Sequence, residues 1–147
     1  MATSRPSPYH AFNFLVQFGN AATTNAGFQE VKGMSIEVTS SEYRVGNSPV
    51  NYSMKVSGLS KATDITFSRG LIGLLDLYQL IDAVRTGIQT PQDVHVQAQD
   101  EAHNPVMTFT LKNARPIRYT APTFNAKTGT EVAIEELVLA IEDLLVE

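Results

Sequence analysis

The sequence predicts a mainly β domain (α+β) with a single α-helix, built as an antiparallel barrel or sandwich. Three observations lead there. Apolar residues alternate with period two in short runs bounded by Gly, Pro, Asn and Ser. Only one segment in the first two thirds keeps a 3.6-residue apolar period. The length of 147 residues suits one folding unit, 1–147, able to bury roughly 68–70% of its unfolded surface.

The elements follow in order. After the polar, Pro-punctuated leader "MATSRPSP", the run "YHAFNFLVQF" sets His10, Phe12, Phe14, Val16 and Phe18 on one strand face. "GNAATTNAG" (19–27) has loop composition. In "MSIEVTSSEYRV" the apolar parity starts with Met34, Ile36 and Val38 and switches to Tyr43 and Val45, which predicts a bulge or bend near Ser40 and Ser41. "YSMKVS" returns with Tyr52, Met54 and Val56 together, so 42–58 is expected as an extended hairpin arm with a polar tip. "ITF" (65–67) continues the β pattern. The spacing of Leu74, Leu77, Tyr78, Ile81 and Val84 predicts a helix over about 71–86, stopped by Gly87.

Strands resume at "VHVQAQ" (94–99) and "VMTFTL" (106–111), joined by the hairpin loop "DEAHNP". "PIRY" and a Pro/Asn/Gly-containing loop (120–130) lead to "EVAIEELVLAIEDLLVE". There Ile134, Leu137, Val138, Ile141, Leu144 and Leu145 fit a helix, while Val132, Ile134, Val138 and Ala140 fit one strand face; pattern alone favours helix.

Composition removes several function classes. Apolar residues make up 43% and charged residues 18%, which suits a packed globular chain. The 15 acidic and 11 basic side chains are dispersed, without the clustered Lys and Arg that phosphate neutralisation requires. The longest apolar runs, such as "LVLAI" (137–141), are far too short to span a bilayer, and the leader enters no apolar signal region, so no membrane anchor is expected. With no cysteine there are no disulfides and no thiolate metal sites.

Chemistry is equally sparse. His10, His95 and His103 lack metal-ligand spacing, and Asp100 and Glu101 beside His103 read as a solvated turn. "GLSKA" (58–62) lacks the second glycine of a nucleophile elbow, and no glycine-rich phosphate loop is present. No catalytic residue, metal or cofactor is expected, and the chain reads as a non-enzyme.

What remains is an edge problem. Exposed strand edges template pairing with other chains unless charges, prolines or bulges blunt them. The arm has few such devices: Arg44, Lys55 and Pro49 at its tip. A head-to-tail contact repeated by rotation would use the edges instead and close a ring with no free edge.

The blocks "SPYHAFNFLVQF", "GFQEVKGMSIEVTSSEYRVGN", "KVSGLSKATDITFSRGL", "NARPIRYTAPTFNA" and "VAIEELVLAIEDLL" resemble, in order and spacing, the tail tube (inner tube) proteins of contractile phage tails and phage-like contractile injection systems, related in fold to Hcp of type VI secretion. The resemblance spans Pro8 to about Leu145. It implies hexameric rings stacked into a hollow tube, an inner wall of strands from all six subunits, an outer helix, and an arm touching the next ring. Glu42, Tyr43, Arg44, Gly46, Asn47, Pro49, Asn51 and Tyr52 would then form the inter-ring contact, with Gly46 permitting the turn. Glu37, Gln97 and Glu135 are candidates to face the lumen. The resemblance also overrides the terminal periodicity and makes 131–141 a strand.

Departures occur at Ser57-Gly58, where the family commonly has Pro-Gly, at Arg115-Pro116 in place of Trp-Pro, and at Leu77 and Tyr78, where the helix usually carries Trp. Implied partners are sheath, baseplate and tail terminator proteins, with DNA or protein cargo crossing the lumen without specific binding. The implied location is a virion tail or extracellular injection particle assembled in the bacterial cytoplasm. The alternative is an Hcp-like secreted ring that carries effectors as a binding module.

Overall fold

The computed structural model describes residues 2–19, 27–73, 75–88, 90–127 and 130–147. Its elements are β1 (Phe14–Phe18), β2 (Glu30–Lys32), β3 (Ile36–Tyr43), β4 (Met54–Ala62), β5 (Ile65–Gly70), α1 (Asp76–Arg85), β6 (Gln92–Gln99), β7 (Pro105–Thr120), β8 (Ile134–Ala140) and β9 (Asp143–Val146). Seven strands pair antiparallel in the order β1-β6-β7-β8-β5-β2, with β9 also on β7, and β3 and β4 form a separate two-stranded ribbon.

The 16-residue β7 organises the body. Its first half pairs with β6 and β9 and its second half with β8, so "VMTFTL" and "PIRY" are one strand rather than two. Asn113 (φ 50°) sits near the junction of these halves and a register shift follows between Pro116 and Arg118 in the second, irregularities of the kind that let a strand bend. The sheet thereby curls over one core of Val16, Phe18, Ile65, Phe67, Val94, Leu111 and Leu137, among others. Phe18 on β1 and Phe67 on β5 meet directly, with ring centroids 5.9 Å apart, so the two halves of the sheet face each other.

Alternation holds in detail. Val94 and Val96 are buried while His95 and Gln97 are half-exposed; Leu137 and Leu139 are buried while Glu136 and Val138 are half-exposed. The expectation of a strand at 131–141 holds as β8, which starts at Ile134 and is followed by β9 over residues for which periodicity suggested helix. Helical spacing there is a by-product of apolar residues on both faces of the strand.

Several boundaries differ from the sequence reading. The first strand begins at Phe14, and His10 and Phe12 leave it, with Phe12 67% exposed. The leader is held elsewhere: Arg5 forms a two-pronged pair with Glu101 at 2.8 and 2.9 Å and stacks on Tyr9, and the Thr3 amide donates to the Val106 carbonyl. The helix starts at Asp76 rather than about 71, because Gly73 (φ 82°) is in a left-handed conformation that an α-helix excludes. Leu74 of the expected stripe and most of the loop at 19–27 lie outside the described residues. Leu77 is the buried anchor of α1, whereas Tyr78 is exposed and packs edge-on against Tyr119. Gly87 ends the helix as expected: its amide donates to the Val84 carbonyl and that of Ile88 to Ala83, the paired bonds of a Schellman motif.

Candidate functional site

The ribbon β3–β4 is longer than the expected 42–58, running from Ile36 to Ala62, and nearly all of it is exposed. Its root is a tight crossing. Ser35 and Thr63 hydroxyls meet at 2.8 Å, the Thr63 amide donates to the Ser35 carbonyl, and Gly33 (φ 94°) sits where a Cβ would lie 2.6 Å from the Asp64 carbonyl oxygen. Only glycine fits that approach. Across the ribbon, Glu37 opposes Lys61 and Glu42 opposes Lys55, so its charges face partners of opposite sign.

The irregularity expected near Ser40 and Ser41 is present between Val38 and Ser40, but its extra residue belongs to the partner strand: Val38 opposes Ser60 and Ser40 opposes Ser57, leaving Gly58 and Leu59 against Thr39. An added Cβ on Gly58 would lie 2.6 Å from the Thr39 hydroxyl oxygen, and Leu59 is 85% exposed. Since β3 itself alternates without a break, its apolar residues do change faces. Parity reasoning places a bulge in the strand whose pattern switches because it assumes that one face is buried; here neither face is.

At the tip the Ser48 amide donates to the Val45 carbonyl and Arg44 donates to the Val50 carbonyl at 3.2 Å. Gly46 has no positive φ, and a Cβ there would meet nothing within 4 Å, so the turn does not depend on this glycine. Tyr43, Val45, Val50, Tyr52 and Met54 are exposed, Tyr52 by 74%. Tyr52 belongs to the tip, since β4 begins at Met54.

The candidates for the lumen separate. Glu37 is exposed on the ribbon and Gln97 is half-exposed on the polar face of β6, beside Thr108 on β7. Glu135 is 1% exposed and points into the core side of β8, so it cannot line an open channel. Its carboxylate accepts from Arg69 Nε at 2.9 Å and from the Tyr119 hydroxyl at 2.7 Å, while the guanidinium nitrogens of Arg69 donate to both Asp76 oxygens. Hydrogen bonds from Arg69 hold the Asp76 carboxyl below its ordinary value, and the bond to Glu135 raises the Tyr119 phenol. This network joins β5, β7, β8 and the start of α1. One signal for it was in the sequence: Arg69 shares parity with Ile65 and Phe67, and a cation on a core face demands a buried acid on the neighbouring strand.

The opposite parity of the same strands forms a polar face that the sequence reading did not assemble. Register sets Lys32, Thr66, Val138 and Arg118 in one row and Glu30, Ser68, Glu136 and Thr120 in the next. On the other half Gln17, His95 and Thr110 align, with His95 Nδ1 3.2 Å from the Thr110 hydroxyl. Among the described residues strands β1 and β2 each pair with one strand, and a groove of about 280 Å³ lined by Phe14, Val31, Met34 and Phe109 opens between them. Among the described residues no group of three or more His, Cys, Asp or Glu side chains could hold a metal ion, and no helix is long and apolar enough to cross a membrane.

Comparison with known proteins adds to this geometry. The family of the T4-like virus tail tube protein gp19 matches residues 10–145. The fold is similar to a chain of an extracellular contractile injection system, the PVC sheath-tube complex in its extended state, at 26% identity and TM-score 0.86 over 97% of this chain and 93% of that one. A chain of the anti-feeding prophage cap is similar at 25% identity and TM-score 0.85, over 100% and 95%. Hcp1 from Flavobacterium johnsoniae shares the fold at 11% identity and TM-score 0.58, over 90% and 93%. No curated protein matches the chain.

Proposed function

The chain belongs to the T4-like virus tail tube protein gp19 family, and from that premise we propose that its copies close into hexameric rings stacked as the hollow inner tube of a contractile particle. It is a structural subunit of a tube and not an enzyme. The observation that carries the assembly is the ribbon from Ile36 to Ala62, which leaves the body with its side chains exposed on both faces. An isolated two-stranded hairpin is marginal in water, so such a ribbon needs a partner surface. Edge strands β1 and β2 supply further unpaired backbone for a wall shared between neighbours.

In this reading residues 42–52 at the ribbon's end touch the next ring, with Tyr43 and Tyr52 supplying amphipathic area and Arg44, Asn47, Pro49 and Asn51 the turn that carries it. The polar sheet face lines the lumen, so Gln97 belongs to it and Glu136 takes the place expected for Glu135. Its charges alternate in sign across the rows of Glu30, Lys32, Arg118 and Glu136, leaving little net field on DNA or protein cargo. Sheath, baseplate and terminator proteins are the partners along the particle, and assembly takes place in the bacterial cytoplasm before release.

Negative-stain imaging of the purified protein, alone and with its baseplate, tests the proposal. Long hollow tubes of stacked rings are expected; discrete rings that never stack would assign the chain to the Hcp-like carrier role instead.

A further inference from the structure

We propose that α1 is a latched lid, which lifts from the sheet as one unit between Gly73 and Gly87 while the strands stay folded, with the Arg69–Asp76 pair as its catch. This motion belongs to the single subunit and needs no second copy.

The helix is fixed at one end. Leu77 is its buried residue, Asp76 takes the guanidinium nitrogens of Arg69 on both carboxylate oxygens, and Tyr78 packs edge-on against Tyr119 with ring centroids 6.0 Å apart. All three fixings lie in the first turn. Further along, Leu80, Ala83 and Val84 stand on one side of a groove of about 540 Å³, with Phe18, Val94 and Leu139 on the other. Leu80 still touches the core, whereas Arg85 bonds within the helix, to the Asp82 carboxylate and the Tyr78 hydroxyl. The last two turns are therefore thinly seated.

Both ends leave the helix free to turn. Gly73 (φ 82°) and Gly87 (φ 96°) are exposed, and a Cβ on either would meet nothing within 4 Å, so no neighbour clamps the backbone there. A 10-residue helix is shorter than the roughly 12–15 residues that hold helical form alone in water, so α1 melts once it leaves the sheet. The sheet has its own support. Phe18, Phe28 and Phe67 pack on one another with ring centroids 5.3 to 5.9 Å apart, and Arg69 keeps its Nε bond to Glu135 when Asp76 departs. Opening thus releases a carboxylate that is 44% exposed without stranding the buried one. What it uncovers is apolar: Val94 is 0% and Leu139 2% exposed beneath the closed helix. An element with few buried contacts and its own boundaries opens at lower free energy than the whole fold.

Native-state hydrogen exchange on the full, unassembled chain at low urea tests the lid. The amides of Leu80 to Thr86 are expected to share one opening constant with a weak urea dependence, and to exchange ~10-fold or more faster than those of β5 and β8. Ile65→Val, in the core outside the groove, is expected to speed β5 and β8 by about 2–10-fold and leave α1 unchanged, because the opened state keeps Ile65 packed. Asp76→Asn is expected to speed α1 by about 2–5-fold. Because the chain has no cysteine, Val94→Cys and Val16→Cys give a second reading by thiol labelling. The groove thiol is expected to react as α1 opens, and the one at Val16, 1% exposed and outside the groove, only on global unfolding. Protection graded along α1, which is fraying, overturns the lid, as does equal acceleration of α1 and sheet by Ile65→Val or equal labelling of the two thiols. Unchanged α1 exchange in Asp76→Asn overturns the catch.

Discussion

Replacing Arg69 by Met isolates the buried charge network. Arg69 is 1% exposed and compensates Glu135, also 1% exposed, through a 2.9 Å hydrogen bond. Among the described residues, removing the guanidinium leaves the buried carboxylate with the Tyr119 hydroxyl, and breaking a buried pair in this way costs about 3–5 kcal/mol. Asp76, 44% exposed, is solvated once released, so its share is about 0.2–1 kcal/mol at most. With a urea slope of about 2 kcal/mol per M, the unfolding midpoint of dilute, unassembled protein falls by about 1.5–2.5 M, read by far-UV circular dichroism. Adding Glu135→Leu removes the stranded charge and restores the midpoint to within about 1 kcal/mol of wild type, less what the unpaired Tyr119 hydroxyl costs. There is a pH signature as well. The Asp76 carboxyl is lowered in the folded state, so its contribution is full above the ordinary carboxylate range and is lost as pH falls through the folded value; Arg69→Met abolishes that acid-side loss. A single variant within 0.2 M of wild type, or a double variant worse than the single, would refute this account.

Three other outcomes are expected. Glu101, lowered from 4.5 to about 2 by its hydrogen bonds from Arg5, holds the leader as a carboxylate, and the latch is lost only as pH falls through about 2. Titration of the Glu101 carboxyl by NMR should show that midpoint, and Arg5→Ala should return it to the ordinary range and speed exchange of the Thr3 amide. Gly33→Ala meets the Asp64 carbonyl oxygen at a left-handed φ and should cost about 1–3 kcal/mol, a fall in Tm of about 3–10 °C, whereas Gly46→Ala should change stability by less than about 0.5 kcal/mol. Equal thermal shifts for the two glycines would contradict the root geometry. Deleting Gly46 to Asn51 should leave the far-UV spectrum of a folded β protein and abolish stacking; tubes of normal length from that variant would remove the ribbon from the inter-ring contact.

The sequence by itself determined the class and most of the elements, because period-two alternation is a local consequence of one face packing and the other facing out. Phe14, Val16 and Phe18, then Val94 and Val96, then Phe109 and Leu111, announce their strands wherever the core lies. Gly87 likewise announces the helix end through a local rule. The ordered blocks from Pro8 to Leu145 carried the family resemblance and with it β8, where local periodicity pointed to helix.

Only the tertiary structure decided which parity faces which side. In "EELVLA" both parities are apolar, so Glu135 and Glu136 are equivalent until Arg69 on β5 and α1 on that side bury one of them. The same holds for the ribbon, whose alternating residues carry no record of a core because it has none within the chain. Its switch of faces became meaningful once the register placed the extra residue in β4 rather than β3. Alternation encodes the existence of two faces, and the identity of each is fixed by what the rest of the chain, or another copy, brings against it.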